Sequence, residues 1–293
     1  MSPPQDNRVG DRVGAGIGLG VLAYSLFAMH DASNKWLVAS FPVWQVLFAR
    51  SLTITIATIA IGRGQLLARA IATPLKIPLM IRGALTLAAW LCYYTAAHDM
   101  SLAQLMTLYF SSPLITMVLA IPILGERVTP ARWIAAGIGF LGVLVASDPF
   151  GVRVSLATIL VLAAAVMWGV AIILMRQIAR REPSILQMLY QSALFLVVTG
   201  SMTAFTWVTP TSFQWLILLA VGVLGGLGQF FLFEGCRLAP ASVMSTVEYT
   251  ALIWGFVLGY LVWGDIPSAA IFAGAGLIVV SGVFLVLAER RRR

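Results

Sequence analysis

The stretch SLATILVLAAAVMWGVAIILMRQ, residues 155–177, decides the fold of this chain. Its single charged residue, Arg176, lies next to the end of the stretch. A helix needs about 20 apolar residues to cross the roughly 30 Å hydrocarbon core of a bilayer. Because a soluble helix of this length carries charged residues along one face, the stretch predicts a transmembrane helix.

The rest of the chain has the same character, since 60% of its 293 residues are hydrophobic and only 10% are charged. An average soluble domain carries about 25% charged residues. Short links containing Gly and Pro divide the chain into ten apolar segments, which we predict to be membrane-spanning helices. The segments cover residues 13–38, 43–62, 78–98, 101–124, 130–147, 155–177, 185–207, 213–238, 241–263 and 267–288.

The basic residues predict the orientation, because Lys and Arg in short loops stay on the cytoplasmic side. With a cytoplasmic N-terminus, all of them except Lys35, Arg50 and Arg153 fall on that side, Arg82 and Arg132 included. These links, together with anionic lipid headgroups, explain the net charge of +8. Membrane lipids are therefore expected partners, and nucleic acid is not.

The chain contains one internal repeat. The motif LGE at 124–126 and the motif WGD at 263–265 are each followed by a Gly-Val pair, at 142–143 and 282–283. The period is about 140 residues, which is long enough for a bundle of helices in each copy. Each copy holds five predicted helices, and because five is odd the second copy enters the membrane in the opposite orientation.

The predicted fold is an all-α integral membrane protein of ten transmembrane helices, in two inverted five-helix repeats around a central cavity. Both termini are predicted to be cytoplasmic. Inverted repeats are the plan of many secondary transporters, whose substrate site lies near the midplane between the halves. The parts are a tail at 1–12, repeats at 13–147 and 155–288, an external link at 148–154 and a basic tail at 289–293.

Short motifs in both repeats carry a family resemblance. They are FAR at 48–50, SPL at 112–114, LGERV at 124–128, RW at 132–133, GFLGV at 139–143, EYT at 248–250 and GDIP at 264–267, with Asp31 and Lys35 in the first helix. In this order and spacing, the chain after residue 12 resembles the ten-helix EamA-type carriers of the drug/metabolite transporter superfamily. The resemblance implies a carrier of small organic solutes, including amino acids and related metabolites, across the bacterial inner membrane, often outward.

Asp31 and Lys35 are four residues apart and share a face of the first helix with Tyr24. Ionisable groups in a spanning helix usually face the bundle interior or a wet cavity. One interpretation is that this stripe binds or admits an amphoteric solute, together with Arg50. The other is an ion pair near the outer interface with Arg50 as a structural partner.

Two glutamates lie inside predicted spans. Glu248 is a few residues into the ninth segment and has no basic residue nearby in sequence. A carboxyl there is costly to ionise, so it either binds a substrate amine or takes up a proton during transport. Glu234 has the same options, or it pairs with Arg237 three residues later.

Aromatic residues within the spans either contact the solute or pack in the core. These candidates are Trp90, Tyr94, Tyr109, Trp168, Tyr249 and Trp254. Pro113 and Pro122 are predicted to bend the fourth helix. The GxGxxG spacing at 137–142 lies within a helix with no preceding strand, so it indicates close helix packing rather than a cofactor. Cys92 and Cys236 are isolated, and no metal is expected.

These features predict a secondary transporter of amino acids or similar amphoteric solutes that works by alternating access, as a monomer. A channel, a lipid scramblase or flippase, and a carrier of nucleotide-type or drug-like solutes are the alternatives. No nucleophile elbow, phosphate loop or zinc-protease motif occurs, so an enzyme is not expected. Whether transport is coupled to protons stays open at this point.

Overall fold

The structure is a computed structural model that describes residues 6–37, 40–96, 99, 108–147, 155–264 and 269–290. In these residues the regular structure is entirely helical. We number the helices α1 (Asp6–Leu37), α2 (Val43–Ala72), α3 (Lys76–Ala96), α4 (Ser112–Leu124), α5 (Pro130–Ser147), α6 (Leu156–Ala179), α7 (Ser184–Thr203), α8 (Ser212–Leu238), α9 (Ala241–Val247), α10 (Thr250–Trp263) and α11 (Ala269–Arg290).

Seven stretches among the described residues are long and apolar enough to cross a membrane. They are Arg12–Asn34, Val43–Ala72, Leu156–Ala179, Ser184–Thr203, Ser212–Leu238, Ala241–Val262 and Phe272–Glu289. The helices α4 and α5 are apolar but shorter. The prediction of an all-α membrane protein is confirmed at this level.

Two helices extend well beyond the sequence-based bounds. The helix α1 begins at Asp6, so residues 6–12, predicted as a tail, are helical. Hydropathy detects only the part of a helix inside the hydrocarbon, and a polar first turn escapes it. The helix α2 continues to Ala72, but Arg63 has a φ of 50° that interrupts it one residue after the predicted end at 62. The predicted link at 148–154 lies outside the described residues.

The contacts between helices follow the repeat: each has a counterpart in which the two halves exchange their roles. The helix α1 packs on α8, and its counterpart α6 packs on α3. Likewise α1 packs on α10, and α6 packs on α4. The pairs α2 with α7 and α5 with α11 join equivalent helices. Exchanging the halves turns each contact either into another contact of the set or, for pairs of equivalent helices, into itself. Two copies related by a two-fold axis require this pattern.

Small residues permit some of these close contacts. A Cβ atom added to Gly142 in α5 would lie only 2.8 Å from the carbonyl oxygen of Gly274 in α11. The backbones of the two helices therefore approach at a position where only glycine fits. The structure gives this glycine the packing role predicted for the stretch 137–142.

Two basic residues of the predicted cytoplasmic set are covered by neighbouring helices. Arg82 has no exposed surface and lies among α3, α7 and α8. The side chain of Arg132 is 8% exposed, and its Nε donates to Glu289 at 2.8 Å. The expectation that the basic residues lie in the short links between apolar segments is therefore wrong for these two, and their side of the membrane stays a prediction. Sequence position alone does not show that neighbouring helices cover these helix ends.

Candidate functional site

A break in the helical ladder separates α9 from α10 at Glu248 and Tyr249. The backbone N–H of Glu248 donates to the carbonyl of Ser245, and that of Tyr249 to Thr246, each at 3.3 Å, over three residues instead of four. The hydroxyls of Ser245 and Thr246 both donate to the carbonyl of Ser242. Such bonds compete with the helix ladder, which explains a break without proline or glycine.

The first half breaks at a position about one repeat period earlier. The chain turns at Phe110 and Ser111, and α4 begins at Ser112. The N–H of Ser111 donates to the carbonyl of Leu108 at 3.2 Å, again over three residues. Pro113 follows directly and has no N–H to continue a ladder from the preceding turn. The structure thus places Pro113 next to a break.

The two breaks face each other across the interface between the halves. The rings of Phe110 and Tyr249 have centroids 6.0 Å apart. The hydroxyl of Ser112 donates to Oε1 of Glu248 at 3.4 Å. The carboxyl of Glu248 therefore lies where the two symmetry-related breaks meet.

Five residues form what we call the Glu248 cluster: Tyr24, Ser112, Trp168, Glu248 and Tyr249. Glu248 is 4% exposed, and both the hydroxyl of Tyr24 and the indole N–H of Trp168 face its carboxyl. Neither group completes a hydrogen bond in this conformation, and Oε2 of Glu248 is also without a partner among the described residues. Buried polar groups are normally paired, so the cluster presents an acceptor and several donors to a ligand.

A second group, the Arg50 cluster, consists of His30, Arg50, Trp90, Gly225 and Gln229. Arg50 is buried, its Cζ lies 5.1 Å from the centroid of the Trp90 ring, and its Nη2 donates to Gln229 at 3.4 Å. A Cβ on Gly225 would lie 2.6 Å from Nε of Arg50 and 2.9 Å from Cδ2 of His30. The glycine therefore makes room for the guanidinium group. Since His30 follows Tyr24 by six residues on α1, the two clusters are about 9 Å apart along this helix.

Asp31 does not join either cluster. Its side chain is 72% exposed, and its Oδ1 lies 3.0 Å from Nδ1 of His30. The side chain of Lys35 lies outside the described part of the chain, so its pairing with Asp31 stays a prediction. The side chain of Tyr94 also lies outside it.

Tyr109 and Trp90 contact other aromatic rings, and Trp90 also contacts Arg50. Tyr109 packs edge-on against Tyr93, with ring centroids 5.0 Å apart. Trp90 packs edge-on against Phe195 at 5.4 Å, in addition to its contact with Arg50. Trp254 is half-buried on α10. Of the six aromatic candidates, Trp168 and Tyr249 are thus the ones that the structure places in the Glu248 cluster.

Glu234 forms the ion pair with Arg237 that their spacing predicts. Its two carboxylate oxygens accept from Nη1 of Arg237 at 3.0 Å each, and Oε1 also accepts from Ser184 at 2.6 Å. The carboxylate is therefore engaged at the end of α8. Pro122 lies inside α4, which continues to Leu124.

An apolar crevice with a volume of about 280 Å³ lies beside the broken helix. It includes Ile17, Val21, Val247 and Ile278, and its lining has no charged side chain. A polar solute finds no charged partner there, whereas a lipid acyl chain fits such a lining. Among the described residues, no three His, Cys, Asp or Glu side chains lie together as metal ligands.

Two residues of the clusters were not singled out from the sequence. Ser112 was quoted only within the motif at 112–114, and its contact with Glu248 depends on the fold. Gln229 is a polar amide within the apolar middle of α8, which is itself a signal of an interior position. The rule that charged residues in a spanning helix face the interior, extended to amides, indicates the position of Gln229.

Comparisons with known proteins agree with this architecture. Residues 14–147 and 155–288 each match the EamA-like transporter family. The chain is 28% identical over 279 residues to the pseudopaline exporter CntI of Pseudomonas aeruginosa, covering 94% of this chain and 97% of that protein. It is 26% identical over 281 residues to a riboflavin transporter of Rhizobium johnstonii, covering 93% and 91%.

Other comparisons extend the picture. An S-adenosylmethionine uptake transporter of Rickettsia conorii is 25% identical over 182 residues, which is 62% of each chain. A solved crystal structure shares the fold with a TM-score of 0.77 and 22% identity, covering 96% of this chain and 98% of that one. The family and these relatives are named for transport rather than catalysis. With two copies of the family's repeat filling most of its length, this multi-pass membrane protein belongs to the EamA-like transporter family.

Proposed function

We propose that the protein is a secondary transporter that exports amino acids or related amphoteric solutes across the inner membrane of a bacterium. Its ten membrane-spanning helices form two oppositely oriented halves with both termini in the cytoplasm. Export is the direction in the name of the pseudopaline exporter, a relative matched over almost its whole length. Other relatives are named for uptake, so the direction rests on this match rather than on the family.

The observation that carries the proposal is the Glu248 cluster. The carboxyl of Glu248 lies between the halves, at a broken helix, with hydrogen-bond donors from both halves around it. Helix breaks at membrane depth are tolerated where the backbone lines a binding site, and transporters of inverted repeats place their substrate there. We propose that Glu248 binds the ammonium group of the solute and takes up a proton when the solute leaves.

The Arg50 cluster supports an amphoteric solute. A guanidinium group recognises carboxylates, and the Trp90 ring stabilises it by a cation–π contact. With the two clusters about 9 Å apart along α1, one solute can direct its cationic end to Glu248 and its anionic end to Arg50. A channel needs no such pair of opposite charges.

The short helix α9 supports alternating access, because it connects Glu248 to one end of the molecule. At the start of α9, Glu126 accepts from the backbone N–H of Ala241 at 2.9 Å and from the hydroxyl of Ser242 at 2.9 Å. At its other end lies Glu248, and every side chain of α9 is buried. We propose that α9 moves as a unit and transmits solute binding to the contact with Glu126.

A second candidate is a carrier of larger heterocyclic solutes. Phe110, Trp168 and Tyr249 give the site aromatic walls on which a flat ring can stack. Two relatives are named for S-adenosylmethionine and riboflavin. Such solutes belong in any screen of this protein.

Counterflow in proteoliposomes tests the proposal. Vesicles with purified protein are loaded with an unlabelled compound, and uptake of its labelled form is followed. The panel contains L-phenylalanine, its decarboxylated form 2-phenylethylamine, its deaminated form 3-phenylpropionate, the other amino acids, S-adenosylmethionine and riboflavin. We expect saturable counterflow with at least one amphoteric compound and a slower rate with its single-charge forms. Absence of counterflow across the panel contradicts the proposal, and unsaturable flux indicates a channel.

A further inference from the structure

Arg82 is a buried cation outside both clusters. It has no exposed surface, its Nη1 donates to Oε1 of Gln191 at 2.7 Å, and its Nη2 donates to the carbonyl of Gln187 at 3.0 Å. Its Cζ also lies 4.7 Å from the centroid of the Phe233 ring. Neutral oxygens and an aromatic face thus surround the guanidinium group.

This surrounding has no negative charge to match the cation. Among the described residues, no carboxylate forms an ion pair with Arg82. Within the part of the chain that the structure describes, Nε of Arg82 has no hydrogen-bond partner, and neither has Oε1 or Nε2 of the fully buried Gln187 side chain. An uncompensated buried charge is costly, and charges retained in spanning helices mark solute pathways. Arg82 contacts the backbone of Gln187, and an N–H of a guanidinium group and an N–H of an amide are both donors suited to a carboxylate.

Polar and aromatic side chains connect Arg82 to the Arg50 cluster. On α3, Arg82 and Trp90 lie on one face, about 12 Å apart along the helix. On α7, Gln191 and Phe195 are four residues apart and contact these two side chains in turn. Trp90 also contacts Arg50. The side chains on α3 and α7 therefore connect the buried guanidinium group of Arg82 to that of Arg50.

Ion pairs close the adjacent end of the molecule. Glu182 accepts from Nε of Arg69 at 2.8 Å and from the hydroxyl of Thr73 at 2.6 Å. Glu234 holds Ser184, the first residue of α7, three residues before Gln187.

We propose that Arg82 and Gln187 form a second anion subsite, which holds the carboxylate of a solute between this end of the protein and Arg50. The identity of the anion as a transported carboxylate rests on the proposed function. The subsite takes a single carboxylate, with Nε–H of Arg82 and the amide N–H of Gln187 as donors.

Charge-selective thiol labelling tests the subsite without knowledge of the natural solute. Thr86→Cys places a thiol one turn from Arg82 on the same face of α3, in a background of Cys92→Ala and Cys236→Ala. In proteoliposomes, its rates with an anionic sulfonatoethyl and a cationic trimethylammonioethyl methanethiosulfonate are compared. The same rates at Thr95→Cys, an exposed position on α3, normalise the intrinsic difference between the reagents.

We expect the normalised anionic-to-cationic ratio at position 86 to be about tenfold above unity, because a partly desolvated charge acts strongly at this distance. Arg82→Gln should return the ratio to unity, whereas Arg82→Lys should keep it. A merely structural arginine does not produce this pattern. If Thr86→Cys does not fold, Gln191→Cys offers a thiol on α7 facing the same group.

A further arm identifies the anion class. At equal concentration, 3-phenylpropionate should slow the anionic reagent and 2-phenylethylamine should not. No labelling by either reagent, a ratio that survives Arg82→Gln, or equal protection by both compounds overturns the proposal. Counterflow plays no part in this measurement, so a failure of the transport proposal and a failure of the subsite are separate results.

Discussion

In the Glu248 cluster, a polar group without a hydrogen-bond partner among the described residues is expected to lower stability and to serve function. The two effects can be measured separately at single residues. The hydroxyl of Tyr24 is buried and completes no hydrogen bond with the described residues, whereas the hydroxyl of Tyr190 donates to the carbonyl of Ala70 at 2.7 Å. A buried polar group that lacks a partner destabilises the fold, and one that has a partner stabilises it. A donor retained at such a cost is expected to act on a ligand.

Replacing each tyrosine by phenylalanine tests this difference. Tyr24→Phe should raise the melting temperature in detergent and weaken solute binding about tenfold, the loss of a hydrogen bond of about 1.4 kcal/mol. Tyr190→Phe, the control, should lower stability by about 1 kcal/mol and leave binding unchanged. Equal binding by the wild type and Tyr24→Phe would remove Tyr24 from the site.

Sequence patterns selected some of the residues that the structure brings together in the Glu248 cluster. Glu248 stood out because a charge without a partner is rare in a spanning helix, and Tyr24 followed from its helical face. Asp31 lies seven residues after Tyr24, yet it is exposed. At that level the buried face of α1 is centred on His30 and Asn34 instead. The spacing in sequence fixes the direction in which each side chain leaves the helix. Only the neighbouring helices decide which of these directions is buried.

At the level of elements, the broken helix depends on space provided by α5. A Cβ on Gly139 would lie 2.5 Å from Cδ2 of Tyr249, so the tyrosine ring occupies the place of a side chain. Gly137 on the same helix has no atom within 4 Å of such a Cβ. The two glycines form a matched pair of positions.

Gly139→Ala should shift Tyr249, lower stability by about 1–3 kcal/mol and slow transport, because overpacking displaces the neighbouring group. Gly137→Ala should raise stability by about 0.5–1 kcal/mol, since alanine is the better helix former. Thermal unfolding and counterflow of both variants measure the difference. Similar behaviour of the two variants would contradict the role of Gly139.

The breaks in the helices were only partly predictable. Pro113 indicates an interruption near the start of α4, because proline cannot continue the hydrogen-bond ladder. The break at 248–249 has no such residue, and it arises from hydroxyl groups that bond back to the backbone of α9. Serine and threonine occur in many intact helices, so this signal is too weak without the structure.

For the whole molecule, contacts between the halves include buried ion pairs. Arg132 at the start of α5 donates to Glu289 near the end of α11, and the two side chains are 8% and 11% exposed. Such a pair fixes the relative position of the halves at one end. Arg132 and Glu289 are far apart in sequence, and the repeat alone did not predict that they form an ion pair.

Arg132→Gln should destabilise the protein by about 3–5 kcal/mol, because it leaves Glu289 without its partner. Arg127→Gln, at an exposed position five residues earlier, should have no measurable effect. Thermal unfolding in detergent compares them. A loss of stability below about 1 kcal/mol for Arg132→Gln would mean that the pair does not hold the halves together.

The predicted orientation is also a property of the whole chain. Reporter proteins fused at the C-terminus and within the link at 148–154 should show opposite sides of the membrane, with a fluorescent C-terminal fusion and an active periplasmic phosphatase in the link. Reversed reporter activities would contradict the cytoplasmic termini. The composition sufficed to predict an all-α membrane protein, because this class depends on hydropathy along the chain rather than on individual contacts, and the short motifs of both repeats carried the family resemblance.

The most direct measurement of the central claim is counterflow by Glu248→Gln beside Glu234→Gln. The first variant removes the only charge of the Glu248 cluster, and the second removes a charge that is already paired at the end of α8. For a solute that the wild type carries, Glu248→Gln should lose at least about 90% of exchange and all accumulation driven by a pH gradient, since 1.4 kcal/mol of lost binding equals a factor of ten. Glu234→Gln should retain both activities. Undiminished exchange by Glu248→Gln would contradict a solute site at this carboxyl.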